Sequence, residues 1–182
     1  KASIRVGFDP QKKGFLGKKL VYTHVVKPCK TARHAVERNL DALRKIGIFP
    51  SEKEKELSFT VHPETLEKMR SIIEKDDFIL IHPASRWKFK CLSSSQIAEL
   101  VYQLSIQGKH IVFTASPDQE ELKMIEEILN LRPFAKVQNL AGKISLDELG
   151  ALIALAQGVI CVDSVPLHLC SALKTPVTVL FG

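Results

Sequence analysis

In the stretch DSVPLH an acid, a hydroxyl and an imidazole fall close together: Asp163 and Ser164 stand before Pro166, and His168 follows two residues later. The apolar run GVICV ahead of them has the make-up of a buried strand, and Pro166 suits the first turn of a helix. A helix start leaves backbone N–H groups without partners, and with the helix dipole they favour phosphate. Ser164 or Val165 is expected to cap that end. Asp163 would repel phosphate, so it is read as an acceptor for hydroxyl groups, as of a sugar. His168, on the first turn, reaches the same pocket. The plainer alternatives are an acid that only caps and a histidine satisfied in the core. Neither explains why three such groups gather at one strand end.

A second constellation is PASRWKFK, which places Ser85, Arg86, Lys88 and Lys90 after another apolar run. A hydroxyl with several cations suits a diphosphate, which needs both neutralisation and directed donors. The alternative is an exposed basic loop. Trp87 is expected to pack against the domain rather than face a ligand. Glu120 and Glu121 open the helix after TASPDQ, where acids suit the dipole. One of the two also suits a ribose diol, the usual task of an acid in nucleotide folds. Neither G-x-G-x-x-G nor G-x-x-x-x-G-K-[ST] occurs, which weakens dinucleotide and P-loop readings. Cys29, Cys91, Cys161 and Cys170 form no C-x-x-C pair, so no metal site is expected, and Cys161 and Cys170 read as small buried thiols. No Ser-His-Asp order and no Cys-His pair stands out.

These residues need a scaffold, and its pattern is regular from about residue 57. LSFTV (57–61) reads as a short strand, and Pro63 opens a helix to about 75. FILIHP (78–83) is a continuous apolar run, the mark of a strand buried on both faces. A Ser-capped helix over 94–107 follows, with Ile97, Leu100, Val101 and Leu104 on one face. Strands at 110–115, 136–140, 158–163 and 176–181 then alternate with helices at 118–131, 146–156 and 166–173. This alternation predicts parallel strands in a Rossmann-like, doubly wound α/β domain. In that fold ligands bind outside the carboxyl ends of the strands. The loops 82–86, 115–118, 139–142 and 163–164 should therefore face one crevice.

Residues 1–56 read differently: strands over 3–8 and 20–26, a Gly/Lys loop between them, and a helix over 32–46 ending at Gly47. They hold too little apolar sequence for a core. Two domains are expected, 1–56 as the tail of an upstream domain and 57–182 as a ligand-binding Rossmann-like domain, truncated at its end. The chain reads as a fragment of a longer protein. Its net charge of +6 is uneven: residues 1–55 carry 14 Lys/Arg against 5 Asp/Glu, a net of +9. QKKGFLGKK and KPCKTARH supply much of that excess, which suits anionic lipid or phosphate. No aromatic interleaving accompanies it, so nucleic acid is not expected as a partner. There is no apolar run near the ~20 residues of a membrane span, nor the h-region of a signal peptide at the start. With thiols read as reduced, the expected location is cytoplasmic.

FILIHPASRWKFKCL, the run from NLAGKISLDELG through DSVPLH to LFG, and HAVERNLDALRKIGI resemble the bacterial lipopolysaccharide core heptosyltransferases, most closely the heptosyltransferase III branch. The resemblance implies the carboxyl-terminal half of a GT-B glycosyltransferase, with ADP-heptose as donor and a lipid A-linked inner-core oligosaccharide as acceptor. By the family pattern Ser85 and Lys90, with Arg86 as the rival cation, meet the diphosphate. Glu121 or Glu120 meets the ribose, and the backbone at Ile144 meets adenine. Asp163 holds heptose hydroxyls, while Ser164, Val165 and His168 line the phosphate and sugar site. Many relatives have glycine where this chain has Val165. The family's catalytic carboxylate belongs to the amino-terminal domain, so no catalytic residue is expected within 1–182. The implied reaction is inverting and needs no cofactor and no metal. It would run at the cytoplasmic face of the inner membrane, in peripheral contact with anionic lipid. A UDP-sugar-using GT-B enzyme and a non-catalytic nucleotide-sugar-binding module are the alternatives.

Overall fold

The run FILIH divides its side chains between two cores. In the computed structural model, which describes residues 2–9, 21–27, 29, 31–131 and 137–181, it forms a strand over Phe78–His82. Phe78 and Leu80 enter one apolar cluster with Met69, Leu152 and Val159. Ile79 and Ile81 join the other, with Ile97, Phe113 and Ile125. Successive strand side chains point to opposite faces, so a strand apolar at every position must be covered on both.

The described residues form two compact units, Lys1–Glu56 and Leu57–Gly182. In the first, β1 (Val6–Phe8) pairs in parallel with β2 (His24–Val26), and α1 spans Ala35–Arg44. No residue of α1 is buried; its surface carries Arg44 bonded to Glu37 at 2.5 Å and to Asp41 at 2.8 Å. Val26 is the buried hydrophobic of this unit among the described residues. The strands are shorter than 3–8 and 20–26, and the helix ends before Gly47, which has a φ of 85°. The loop QKKGFLGKK lies outside the described residues.

The second unit is a five-stranded sheet, parallel throughout, in the order β5-β4-β3-β6-β7. Its strands are β3 (Phe78–His82), β4 (His110–Phe113), β5 (Val137–Asn139), β6 (Gly158–Val162) and β7 (Val177–Leu180). Helices α2 (Pro63–Ile72), α5 (Leu146–Leu155) and α6 (Val165–Leu173) supply one core, and α3 (Ser94–Ile106) and α4 (Gln119–Leu131) the other. The chain builds outward from β3 through β4 to β5, then returns to lay β6 on the other side of β3. This is the doubly wound Rossmann-like arrangement, and its switch point lies between β3 and β6.

One expected element of this unit changes. LSFTV (57–61) is no strand: the segment makes no ladder bond and packs Phe59 and Val61 against the core instead. Phe59 lies over Gly150 of α5, so close that an added Cβ would come within 2.3 Å of the ring. Strand propensity without a pairing partner gives an extended packing segment. α3 starts at Ser94 as expected, and its serine cap is Ser93, in a capping box with Gln96.

Candidate functional site

The loops that follow four strands contribute to one crevice of about 1320 Å³. The switch point is bridged directly: Lys90 Nζ donates to Asp163 Oδ2 at 2.5 Å, joining the loop after β3 to the end of β6. The neighbouring ammonium, through this bond first, holds the Asp163 carboxyl below its ordinary range. One strand further out, Lys88 pairs with Glu120 on the first turn of α4 and holds that carboxyl low as well. Both ions stand largely in solvent, so this outer pair contributes little to stability. Arg86 is exposed and, among the described residues, is the cation of this loop with no ion pair.

Secondary structure places the remaining groups. Asp118 Oδ1 caps α4, accepting from the N–H of Glu120 at 3.0 Å and of Glu121 at 3.3 Å. Glu121 turns back to accept the Ser116 N–H at 2.9 Å, so its carboxylate is fixed on the crevice wall, whereas that of Glu120 stands at the rim. Ser145 caps α5 in a capping box with Glu148 and so sets Ile144, the residue before it, into the lining. Gly142 makes the turn that leads there, with a φ of 69°. The turn residues 139–142 do not themselves line the crevice; the bond from the Ala141 N–H to Asn139 Oδ1 keeps them folded on themselves.

The N-terminus of α6 departs from expectation. Ser164 occupies the cap position, yet its hydroxyl makes no cap bond and donates to the Val162 carbonyl at 3.3 Å. Val165, not Pro166, is the first helical residue. Pro166 has no N–H, the Leu167 N–H donates to the Ser164 carbonyl at 3.2 Å, and no side chain caps this end, which leaves the Val165 N–H for an external acceptor. Val165 is 52% exposed, and it and His168 line the crevice beside Asp163. All ten residues singled out in the sequence therefore border one cavity. Trp87 corrects a further expectation: it does not pack against the domain but stands 58% exposed at the crevice.

Sequence patterns named His82 only as the start of the loop 82–86 and missed Thr114. His82 and Thr114, at the ends of β3 and β4, are buried polar residues, 8% and 1% exposed, bonded to each other at 3.0 Å. Burial pushes the His82 imidazole down to about 4, against the opposing charge of Glu121. A polar pair closing two apolar strands at the switch point was the available signal. Cys161 and Cys170 are buried free thiols pushed up to about 12 and about 11 by burial, which makes them poor nucleophiles. Among the described residues no group of three or more His, Cys, Asp and Glu could hold a metal ion. No helix among them is long and apolar enough to cross a membrane.

Fold and crevice together define a Rossmann-like α/β domain with a charged crevice at its switch point. The chain belongs to glycosyltransferase family 9 (heptosyltransferase), whose family model matches residues 1–182. It is 35% identical over 153 residues to lipopolysaccharide heptosyltransferase 3 of Escherichia coli K12, covering 82% of this chain and 44% of that protein. It is 32% identical over 130 residues to lipopolysaccharide heptosyltransferase 2 of the same organism, covering 71% of this chain and 36% of the relative. Among solved structures it resembles E. coli ADP-heptose lps heptosyltransferase II, with a TM-score of 0.80 at 22% identity, over 99% of this chain and 56% of that one. It also resembles E. coli heptosyltransferase WaaC with ADP, with a TM-score of 0.65 at 21% identity, over 97% of this chain and 54% of that one. The chain thus spans less than half the length of the curated relatives and a little over half of the solved ones.

Proposed function

We propose that residues 57–182 form the donor-binding domain of a glycosyltransferase that moves heptose from ADP-heptose to the inner core of lipopolysaccharide. Residues 1–56 would be the tail of its acceptor-binding domain. The observation that carries this reading is the Lys90–Asp163 pair across the switch point, with an uncapped helix end on one side and the unpaired Arg86 on the other. The solved relatives with ADP and with ADP-2-deoxy-2-fluoro heptose support the choice of donor.

Strand order arranges the roles along the sheet edge. Ile144, after β5, takes the adenine end. Glu121, whose carboxylate is already fixed on the wall, takes the ribose diol. Ser85, Arg86, Lys90 and the first turn of α6 take the diphosphate, and Asp163 with Ser164 and His168 takes the heptose hydroxyls. As the bond from the sugar to ADP breaks, negative charge grows on the departing phosphate, where these cations and N–H groups stabilise it. Transfer is inverting: the acceptor hydroxyl attacks from the face opposite the ADP and loses its proton to a base. Each carboxylate lining the crevice is engaged, Asp163 and Glu120 in ion pairs, Asp118 and Glu121 on backbone N–H groups and Glu127 on Ser94. The resemblance to the family implies that the general base belongs to the amino-terminal, acceptor side.

Calorimetric titration of the chain with ADP-heptose, ADP-glucose and a UDP-sugar tests the reading. Preference for ADP-heptose, lost in Asp163→Ala, supports it; tighter binding of the UDP-sugar replaces the donor. The reaction is proposed to need no metal, so activity of the full enzyme should survive EDTA. Peripheral contact with anionic membrane through the basic first segment belongs to the same proposal, and vesicle binding should fall steeply with added salt.

A further inference from the structure

Trp87 is the single tryptophan of the chain, and it stands where an indole is least expected. It is 58% exposed in the lining of the crevice, with Phe89, 71% exposed, beside it at a centroid distance of 6.0 Å and a tilt of 45°. The turn that carries it is fixed. Its N–H donates to Ser85 Oγ at 3.3 Å and its carbonyl accepts the Lys90 N–H at 2.9 Å. The flanking lysines tie the same turn to two other elements, Lys88 to Glu120 on α4 and Lys90 to Asp163 at the end of β6. A large ring held out to water on a backbone anchored at both sides offers a preorganised flat face, at little further entropic cost to a ligand.

We propose that Trp87 is the platform on which the donor's sugar ring stacks, and therefore a determinant of which nucleotide sugar is accepted. The inference rests on the donor reading above and assigns that site a residue the sequence reading had set aside. The indole face carries the negative side of the ring quadrupole, to which the polarised C–H groups of a pyranose are drawn. Strand order favours sugar over base. Trp87 follows β3, next to β6 and Asp163, whereas Ile144 follows β5, two strands away, or roughly 10 Å at the usual strand spacing. The ammonium of Lys90, three residues on, reaches the carboxylate assigned to the sugar hydroxyls, and Trp87 and Asp163 both line the crevice. An aromatic face and a hydroxyl acceptor match the two surfaces of a pyranose, its C–H face and its hydroxyl edge.

The single tryptophan is also the reporter. Its emission is followed while the chain is titrated with ADP and then with ADP-heptose, and affinities for both are measured by calorimetry on the chain and on Trp87→Ala and Trp87→Phe. The expected result is an emission change with ADP-heptose that ADP does not produce. Trp87→Ala should weaken ADP-heptose by about two- to twelvefold, the range of an aromatic stacking contact, leave ADP unchanged, and be partly rescued by Trp87→Phe. Equal weakening of both ligands overturns the inference by placing the ring on the nucleotide. Silent emission with unchanged affinities overturns it too, while the donor reading stands on the binding itself. Failure of ADP to bind removes the donor reading, and this inference with it.

Discussion

His82 shows how one residue ties stability to the crevice. Its ring is buried at the switch point and pushed down to about 4 by burial, against an ordinary value near 6.5 in the unfolded chain. A basic group depressed in the fold takes up protons more readily when unfolded, so its contribution is whole above pH 6.5 and is lost as the pH falls toward 4. The loss expected over that window is about 2–3 kcal/mol. Urea midpoints measured from pH 7 to pH 4 should fall accordingly, and His82→Asn, which cannot be protonated, should flatten the curve in that window. Asp163 shows the same sign in a more acidic window: its carboxyl is held low by Lys90, so the pair is ionised at neutral pH and its contribution is lost only in stronger acid. The acid, the cations and the cap position were legible in the sequence. That Lys90 and Asp163 meet, 73 residues apart, was not, because no local pattern encodes which loops a sheet brings together.

Capping decides where the crevice residues sit at the scale of the elements. Ser145 and Glu148 close the start of α5 reciprocally, at 3.3 Å and 2.6 Å. The same Glu148 receives Lys68 of α2 at 2.5 Å. Ser145→Ala should therefore cost about 1 kcal/mol in denaturant unfolding and loosen the approach of Ile144 to the crevice. Gly142 meets a second constraint, since a Cβ there would be strained at its positive φ and would meet Leu122 at 2.9 Å. Gly142→Ala should cost about 1 kcal/mol or somewhat more. Periodicity located α3 to α6 and β3 to β7 to within a few residues, since burial on one or both faces writes itself into the chain. LSFTV misled because strand propensity says nothing of whether a pairing partner is present, and here Phe59 found Gly150 instead. Ser164 misled because its hydroxyl had a carbonyl two residues back within reach.

For the whole molecule, every residue lining the crevice belongs to the unit Leu57–Gly182. A protein comprising 57–182 should therefore bind ADP with the affinity of the chain, within about twofold or roughly 0.4 kcal/mol, while losing salt-sensitive association with anionic vesicles. Calorimetry and vesicle sedimentation on the two proteins decide this. A large drop in ADP affinity would mean that the first unit completes the site. The uneven charge points the same way, since residues 1–55 carry +9 and the remainder carries −3.

The sequence by itself determined the fold class, because strands apolar at every position alternating with one-sided helices admit a doubly wound parallel sheet and little else. It also determined which loops carry chemistry, since strand ends in such a sheet share one edge. Tertiary structure alone decided the partners: Lys90 with Asp163, Lys88 with Glu120, His82 with Thr114, and Trp87 left facing water. Side-chain pairing depends on strand order and on distances of a few ångströms between loops far apart in the chain. Those are fixed only when the two cores close on the sheet.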